Sequence, residues 1–77
     1  MKTVQISLDS IDKVREFVQI ITLFDSDFDM RSGRYTVDAK SILGIFSLDL
    51  SKPIDLDIYG EEALEDVLKA IEPFMVS

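Results

Sequence analysis

Residues 28–50, FDMRSGRYTVDAKSILGIFSLDL, contain the two patterns that decide the fold. The first ten of these residues alternate apolar and polar side chains on either side of a Ser-Gly pair. Gly33 adopts a positive φ without steric cost, so we predict a β-hairpin over residues 28–37. The alternation stops at KSILGIF, which is short and apolar. The centre of the chain is therefore predicted to be a hairpin followed by one short helix.

Upstream of this stretch, the chain changes from strand to helix periodicity. TVQISL (residues 3–8) alternates Val4, Ile6 and Leu8 with polar side chains, as in a strand with one buried face. In residues 9–25, apolar side chains recur three or four positions apart, which predicts an amphipathic helix with Ser10 as its N-cap. Its predicted apolar stripe consists of Ile11, Val14, Phe17, Val18, Ile21 and Phe24.

Downstream, PIDLDIYG returns to alternation and predicts a strand that ends near Gly60. The last helix follows, and Pro73 discourages its continuation. Its apolar positions are Ala63, Leu64, Val67, Leu68, Ile71 and Phe74. The predicted order is β-α-β-β-α-β-α, an α+β class in which helices cover one side of a mostly antiparallel sheet. We expect a single domain over residues 1–77.

Composition narrows the possible functions. The 77 residues include no Cys and no His, so thiolate and imidazole chemistry are excluded. The net charge of −7 disfavours direct binding to nucleic acid or to anionic lipid. The opening MKTVQISLDS lacks the features of a secretory signal, and no apolar run reaches the roughly 20 residues that span a bilayer. We expect a cytoplasmic protein with no membrane association.

The stretch LFDSDFDMRSGRYTVDAKSILGIFSLDL (residues 23–50) resembles the middle of the HPr family, the histidine-containing phosphocarriers of the bacterial sugar phosphotransferase system. Family members have a similar FDSD, an AKSIMG helix start and a following SL. The resemblance implies an HPr-like open-faced β-sandwich, with a four-stranded antiparallel sheet and three helices on one face. The resemblance covers nearly the whole chain and rests mainly on its middle third.

The first site of the family departs from its pattern here. Members have a histidine that accepts the phosphoryl group, with an arginine and a proline after it, and the ungapped register places Ser10, Asp12 and Lys13 at these positions. A serine phosphate ester is too stable for rapid relay, and Asp12 puts negative charge where the family has positive charge. We therefore expect a degenerate phosphocarrier site, no enzymatic activity, and neither an organic cofactor nor a metal ion.

The second site is retained. In Gram-positive members an ATP-dependent kinase phosphorylates the serine that Ser41 matches, and Ile42, Leu43 and Phe46 match an apolar docking patch. The residues alone also allow Ser41 to be a simple helix cap and the apolar residues to be core. The resemblance favours a split, with Ile42 and Phe46 exposed and with Ile45 and Leu48 inside.

Three functional hypotheses follow. The first is a regulatory protein-binding module switched at Ser41, with an HPr serine kinase and a transcription regulator as partners. The second is a degenerate HPr-fold scaffold or self-associating domain without phosphorylation. The weakest is a divergent phosphocarrier that uses the carboxylate of Asp9 or Asp12. Two minor hypotheses are cation binding by the DSDFD acids and anion binding by Arg31, Arg34 and Lys40.

Overall fold

The computed structural model describes residues 1–60 and 62–76, and the predicted order of strands and helices is confirmed in them. Glu61 and Ser77 lie outside the described residues. The elements are β1 (Lys2–Ile6), α1 (Ile11–Ile21), β2 (Phe28–Ser32), β3 (Tyr35–Asp38), α2 (Ile42–Phe46), β4 (Ile54–Ile58) and α3 (Leu64–Ile71), followed by a 3-10 turn (Glu72–Phe74).

The four strands form one antiparallel sheet in the order β1-β4-β2-β3. Strands β2 and β3 form the predicted hairpin, and Gly33 in its turn has a φ of 60°. β1 pairs with β4 in the register Lys2↔Ile58 to Ile6↔Ile54. The first strand of the chain is therefore an edge strand that depends on a partner from the far end of the sequence.

The helices cover one face of the sheet, where the apolar side chains of the strands meet those of the helices. Ile54, Leu56 and Ile58 are fully buried, as the alternation in β4 predicts. The helix residues in the core include Val14, Phe17, Ile21, Val67 and Ile71. The rings of Phe17 and Phe74 meet edge to face, with centroids 5.6 Å apart.

One position in the predicted stripe of α1 is wrong. Ile11 is 60% exposed rather than part of the core. It is the first residue of the helix, beyond the end of the core that Val14 and Phe17 reach. The spacing of apolar residues is helical at Ile11, but nothing in the spacing says where the covering layer ends.

The opposite face of the sheet is polar and is organised around Asp57, which is 4% exposed. Its carboxylate accepts hydrogen bonds from Arg31 (Nε–Oδ2 2.7 Å and Nη2–Oδ1 2.9 Å) and from the Thr3 hydroxyl at 2.7 Å. The Arg31 guanidinium, with a smaller contribution from Thr3, holds the pKa of Asp57 below its ordinary value, against the desolvation that raises it. This cluster joins β1, β4 and β2 on the uncovered face.

Candidate functional site

Ser41 lies in the turn between β3 and α2 and is exposed. It is the N-cap of α2, with an extended backbone (φ −94°, ψ 104°) and a hydroxyl Oγ that accepts a hydrogen bond from the Gly44 N–H at 3.2 Å. The Ser41 N–H donates to the Asp38 carbonyl at 3.0 Å. Ser41 therefore serves as a cap and still presents its hydroxyl at the surface.

Gly44 allows α2 to approach both Ser41 and the hairpin. A Cβ at this position would lie 3.3 Å from Ser41 Oγ and 3.3 Å from Val37 Cβ, closer than about nine in ten real Cβ contacts. The absence of a side chain thus lets the N–H of Gly44 reach the serine hydroxyl while α2 packs on β3. This close contact is visible only in the fold.

The residues immediately before Ser41 are fixed by three kinds of contact. Ala39 is fully buried, and its N–H donates to the Phe28 carbonyl at 3.0 Å. The Lys40 N–H donates to Asp38 Oδ1 at 2.9 Å. The Lys40 ammonium donates to the Phe24 carbonyl at 2.7 Å and lies 5.6 Å from the centroid of the Phe28 ring.

The apolar side chains of α2 divide between the core and the surface. Ile45 is fully buried and Leu48 is 7% exposed, as predicted, whereas Leu43 is 80% and Phe46 43% exposed. The exposure predicted for Ile42 is wrong, because this side chain is half-buried and packs against the core. We call Ser41, Ile42, Leu43 and Phe46 the α2 surface. Leu43 and Phe46 are its prominent apolar residues.

The residues at the degenerate phosphocarrier site lie at the start of α1. Ser10 is the predicted N-cap, and its Oγ accepts from the Lys13 N–H at 3.2 Å. The Lys13 ammonium lies 3.0 Å from Asp9 Oδ1. Its hydrogen bond and charge lower the pKa of Asp9 from its ordinary value. Asp12, in the first turn, is exposed.

The three cations expected near the hairpin have different partners. Arg31 binds Asp57, and Lys40 binds the Phe24 carbonyl. Arg34 lines a cleft of about 420 Å³ together with Lys52 and Asp49. The minor hypothesis that Arg31, Arg34 and Lys40 gather around an anion is therefore wrong.

Sequence reasoning missed the contacts of Lys40 and Asp57. The alternation places Thr3, Arg31 and Asp57 on the polar faces of their strands, which is a weak signal that they could meet. For Lys40, nothing in the local sequence indicates that its side chain reaches back to residue 24. Within the described part of the chain, no helix has the length and apolar character needed to cross a membrane.

Comparison with known proteins agrees with this geometry. The family profile described as "PTS HPr component phosphorylation site" matches residues 13–76. HPr-C-His from Thermoanaerobacter tengcongensis is 30% identical, with a TM-score of 0.79 over 95% of this chain and 89% of that protein. The phosphocarrier protein HPr from Bacillus anthracis is also 30% identical, with a TM-score of 0.72 over 97% of this chain and 94% of that one.

A third similar structure is the Bacillus subtilis catabolite repression containing protein Crh. It is 28% identical, with a TM-score of 0.63 over 96% of this chain and 90% of Crh, and that structure is described as a dimer with a swapping domain. HPr-family proteins interact with other proteins of the phosphotransferase system (PTS). The family profile matches most of this chain, and the fold is that of the phosphocarrier HPr. This chain therefore belongs to the HPr family.

Proposed function

We propose that this chain is one HPr-like domain, residues 1–77, that works as a regulatory protein-binding module switched by phosphorylation of Ser41. The observation that carries the proposal is that one five-residue helix begins at an exposed, accessible serine and has Leu43 and Phe46 at the surface. Aromatic side chains are common anchors in protein interfaces, and exposed apolar clusters often mark interaction sites. The α2 surface thus combines a modifiable hydroxyl with a site for docking.

The modification is a phosphoryl transfer. Ser41 Oγ attacks the γ-phosphorus of ATP, the new O–P bond forms as the bond to ADP breaks, and the hydroxyl proton passes to a base on the kinase. The product carries about −1.5 to −2 charge at pH 7 beside Leu43 and Phe46. An apolar docking surface thereby acquires a charged neighbour, so its affinity depends on the state of Ser41.

A histidine relay plays no part in this proposal. The chain has no histidine, and Ser10 occupies the matching position at the start of α1. The Ser10 hydroxyl accepts from Lys13, whose ammonium lies against Asp9. A carboxylate carrier at Asp9 would have to release this ion pair before accepting a phosphoryl group, which makes it the weakest of the three hypotheses.

The proposed partners are proteins, namely an HPr serine kinase and a transcription regulator that recognises one state of Ser41. The chain itself is proposed to act in the cytoplasm, without catalysis and without touching nucleic acid directly. Its charge of −7 supports the last point, because a strongly acidic domain is repelled by phosphate backbones.

Self-association is the second candidate function. The similarity to Crh, which is described as a dimer with a swapping domain, is the observation that favours it. In this alternative Ser41 is only the cap of α2. Sedimentation of the chain over a hundredfold range of concentration tests self-association, since a dimer forms as the concentration rises and does not need ATP, whereas a chain that stays monomeric throughout overturns this candidate.

The proposal is tested by incubating the chain with ATP and an HPr serine kinase, followed by peptide mass spectrometry. We expect one phosphoryl group on Ser41 in the wild type and in Ser47→Ala, and none in Ser41→Ala. Ser47 is a matched control because it is exposed at the other end of α2. An unmodified wild-type chain, beside an authentic HPr that is labelled in parallel, would overturn the switch.

A further inference from the structure

Resting on the proposed function, we propose that Lys40 is a positioning residue for Ser41. Its ammonium binds the turn after α1 and thereby holds the segment that carries the serine. This role differs from that of a residue that binds the phosphoryl group. The contact joins two parts of the chain 16 residues apart, at an Nζ–O distance of 2.7 Å in a partly buried setting.

The residue that accepts this contact is itself held by a backbone hydrogen bond. Phe24 follows the C-cap of α1, and its N–H donates to the Ile21 carbonyl at 3.1 Å. The Phe24 carbonyl thus belongs to a turn that continues the helix end, where a cation is favourable because of the helix dipole. The Phe28 ring, 5.6 Å from the ammonium, adds a second attraction.

The segment before Ser41 needs such a contact because α2 is short. Five residues form little more than one turn, which is too short to be stable through its own hydrogen bonds. The position of the Ser41 hydroxyl therefore depends on what holds the chain on either side. Ile45 anchors the helix in the core on one side, and Ala39 and Lys40 hold the entering segment on the other.

The contacts of the Lys40 ammonium also distinguish a role in positioning Ser41 from a role in neutralising the charge of a phosphorylated serine. The Lys40 ammonium keeps its charge, but it donates to the Phe24 carbonyl and lies over the Phe28 ring, so its side chain is directed to the turn after α1. Its effect should therefore fall on the presentation of the unmodified hydroxyl. A kinase is sensitive to such a change, because small misplacement of a reacting atom lowers the rate of the chemical step.

The test compares Lys40→Met with Lys40→Arg and with Lys52→Met, which removes the same charge from an exposed loop. We expect Lys40→Met to lower kcat for Ser41 phosphorylation on the order of tenfold with a smaller change in KM. Lys40→Arg keeps a donor and should recover most of the rate, and Lys52→Met should match the wild type. A wild-type kcat in Lys40→Met, or an equal loss in Lys52→Met, would overturn the role of Lys40.

Amide hydrogen exchange is measured on the same variants without a kinase. In Lys40→Met, we expect faster exchange of the Gly44 N–H, which the Ser41 hydroxyl caps, and unchanged exchange in the strand β4. Faster exchange throughout the chain would indicate general destabilisation and would overturn a local role. If the wild type is not phosphorylated, the proposed function fails, and the exchange of Gly44 still decides whether Lys40 holds Ser41.

Discussion

Ser10 and Ser41 are both N-caps, and the comparison between them separates a structural serine from a candidate switch. In each case Oγ accepts from the backbone N–H three residues later, at the same distance of 3.2 Å. Ser10 begins α1, of 11 residues, whereas Ser41 begins α2, of only five. The local geometry of the two hydroxyls is thus nearly the same.

The surroundings of the two serines are different. Next to Ser10, an ion pair joins Asp9, which precedes the cap, to Lys13 in the first turn of α1, a helix whose inner face is in the core. Next to Ser41, Leu43 and Phe46 are exposed and Lys40 is turned back to Phe24. Cap geometry therefore says nothing about function by itself, and the distinguishing features are the neighbouring side chains. Four predictions test this distinction.

The largest expected effect is on phosphorylation. Ser41→Ala should abolish modification by an HPr serine kinase, whereas Ser10→Ala should leave the site and the extent of modification unchanged, because only Ser41 lies in the segment that matches the modified serine of the family. Intact mass and peptide mass spectrometry give the answer. Label on Ser10, or label that survives in Ser41→Ala, would remove the proposed difference between the two caps.

The second prediction concerns adjacent residues of α2. Ile45→Ala should lower the free energy of unfolding by about 2–4 kcal/mol, because Ile45 is fully buried and the surrounding core relaxes only in part. Phe46→Ala should cost less, about 1–1.5 kcal/mol, because 43% of this residue is already exposed to water. Urea unfolding measures both. Equal losses would mean that Phe46 is a core residue, and the α2 surface would lose its main anchor.

The third prediction uses Asp57 as a reference remote from both serines. Asp57→Asn should lower the free energy of unfolding at pH 7 by about 1–2 kcal/mol, because the hydrogen bonds from Arg31 lose their charge-assisted character. It should not change which serine is phosphorylated. Urea unfolding and the kinase assay measure the two outcomes.

The direction in which the stabilisation by Asp57 changes with pH follows from its lowered pKa. Because folding lowers this pKa from the ordinary 3.8, the stabilisation is present above that value and is lost as the pH falls through the folded-state pKa. The difference between wild type and Asp57→Asn should therefore shrink in acid below that ordinary value. A difference that is constant between pH 7 and pH 2.5 would show that the charge of Asp57 is not the cause.

The smallest expected effect comes from the caps themselves. Ser10→Ala should cost about 1 kcal/mol of unfolding free energy, the usual value for an N-cap, because the Lys13 N–H loses its acceptor. We expect a similar or smaller loss for Ser41→Ala. Paired urea titrations of each variant and the wild type measure these two losses of unfolding free energy. A loss at Ser41 larger than the loss measured for Ile45→Ala would indicate that α2 depends on its cap more than on Ile45.

Much of the fold was predictable because it rests on local patterns. The alternation of Ile54, Leu56 and Ile58 predicts a strand with one buried face, and Ser32-Gly33 predicts the turn between β2 and β3. The resemblance to the HPr family agrees with this order of elements and adds the expectation of an open-faced β-sandwich. Ile11 was misassigned because periodicity gives the direction of a side chain and not the extent of the layer that covers it. The exposure of Ile42 was expected from the resemblance, whereas the side chain packs against the core, as its apolar character alone allows.

The candidate site was predictable only as a segment. The sequence places Ser41, Leu43 and Phe46 together because they lie within six residues, and the spacing of a helix turns some of them outward. Which of them is covered depends on β3, since α2 packs against it where Gly44 approaches Val37. The exposure of Leu43 and the partial burial of Ile42 are consequences of this packing.

By itself, the sequence determined the strands, the helices, the two serine caps and the absence of a histidine, because each depends on residue identity or on spacing within a few positions. The tertiary structure decided that β1 pairs with β4, that Arg31 and Thr3 meet on Asp57, and that Lys40 reaches Phe24. The side-chain contacts among them join residues 16 to 54 positions apart. Their formation depends on the docking of elements on a shared core, which no local pattern encodes.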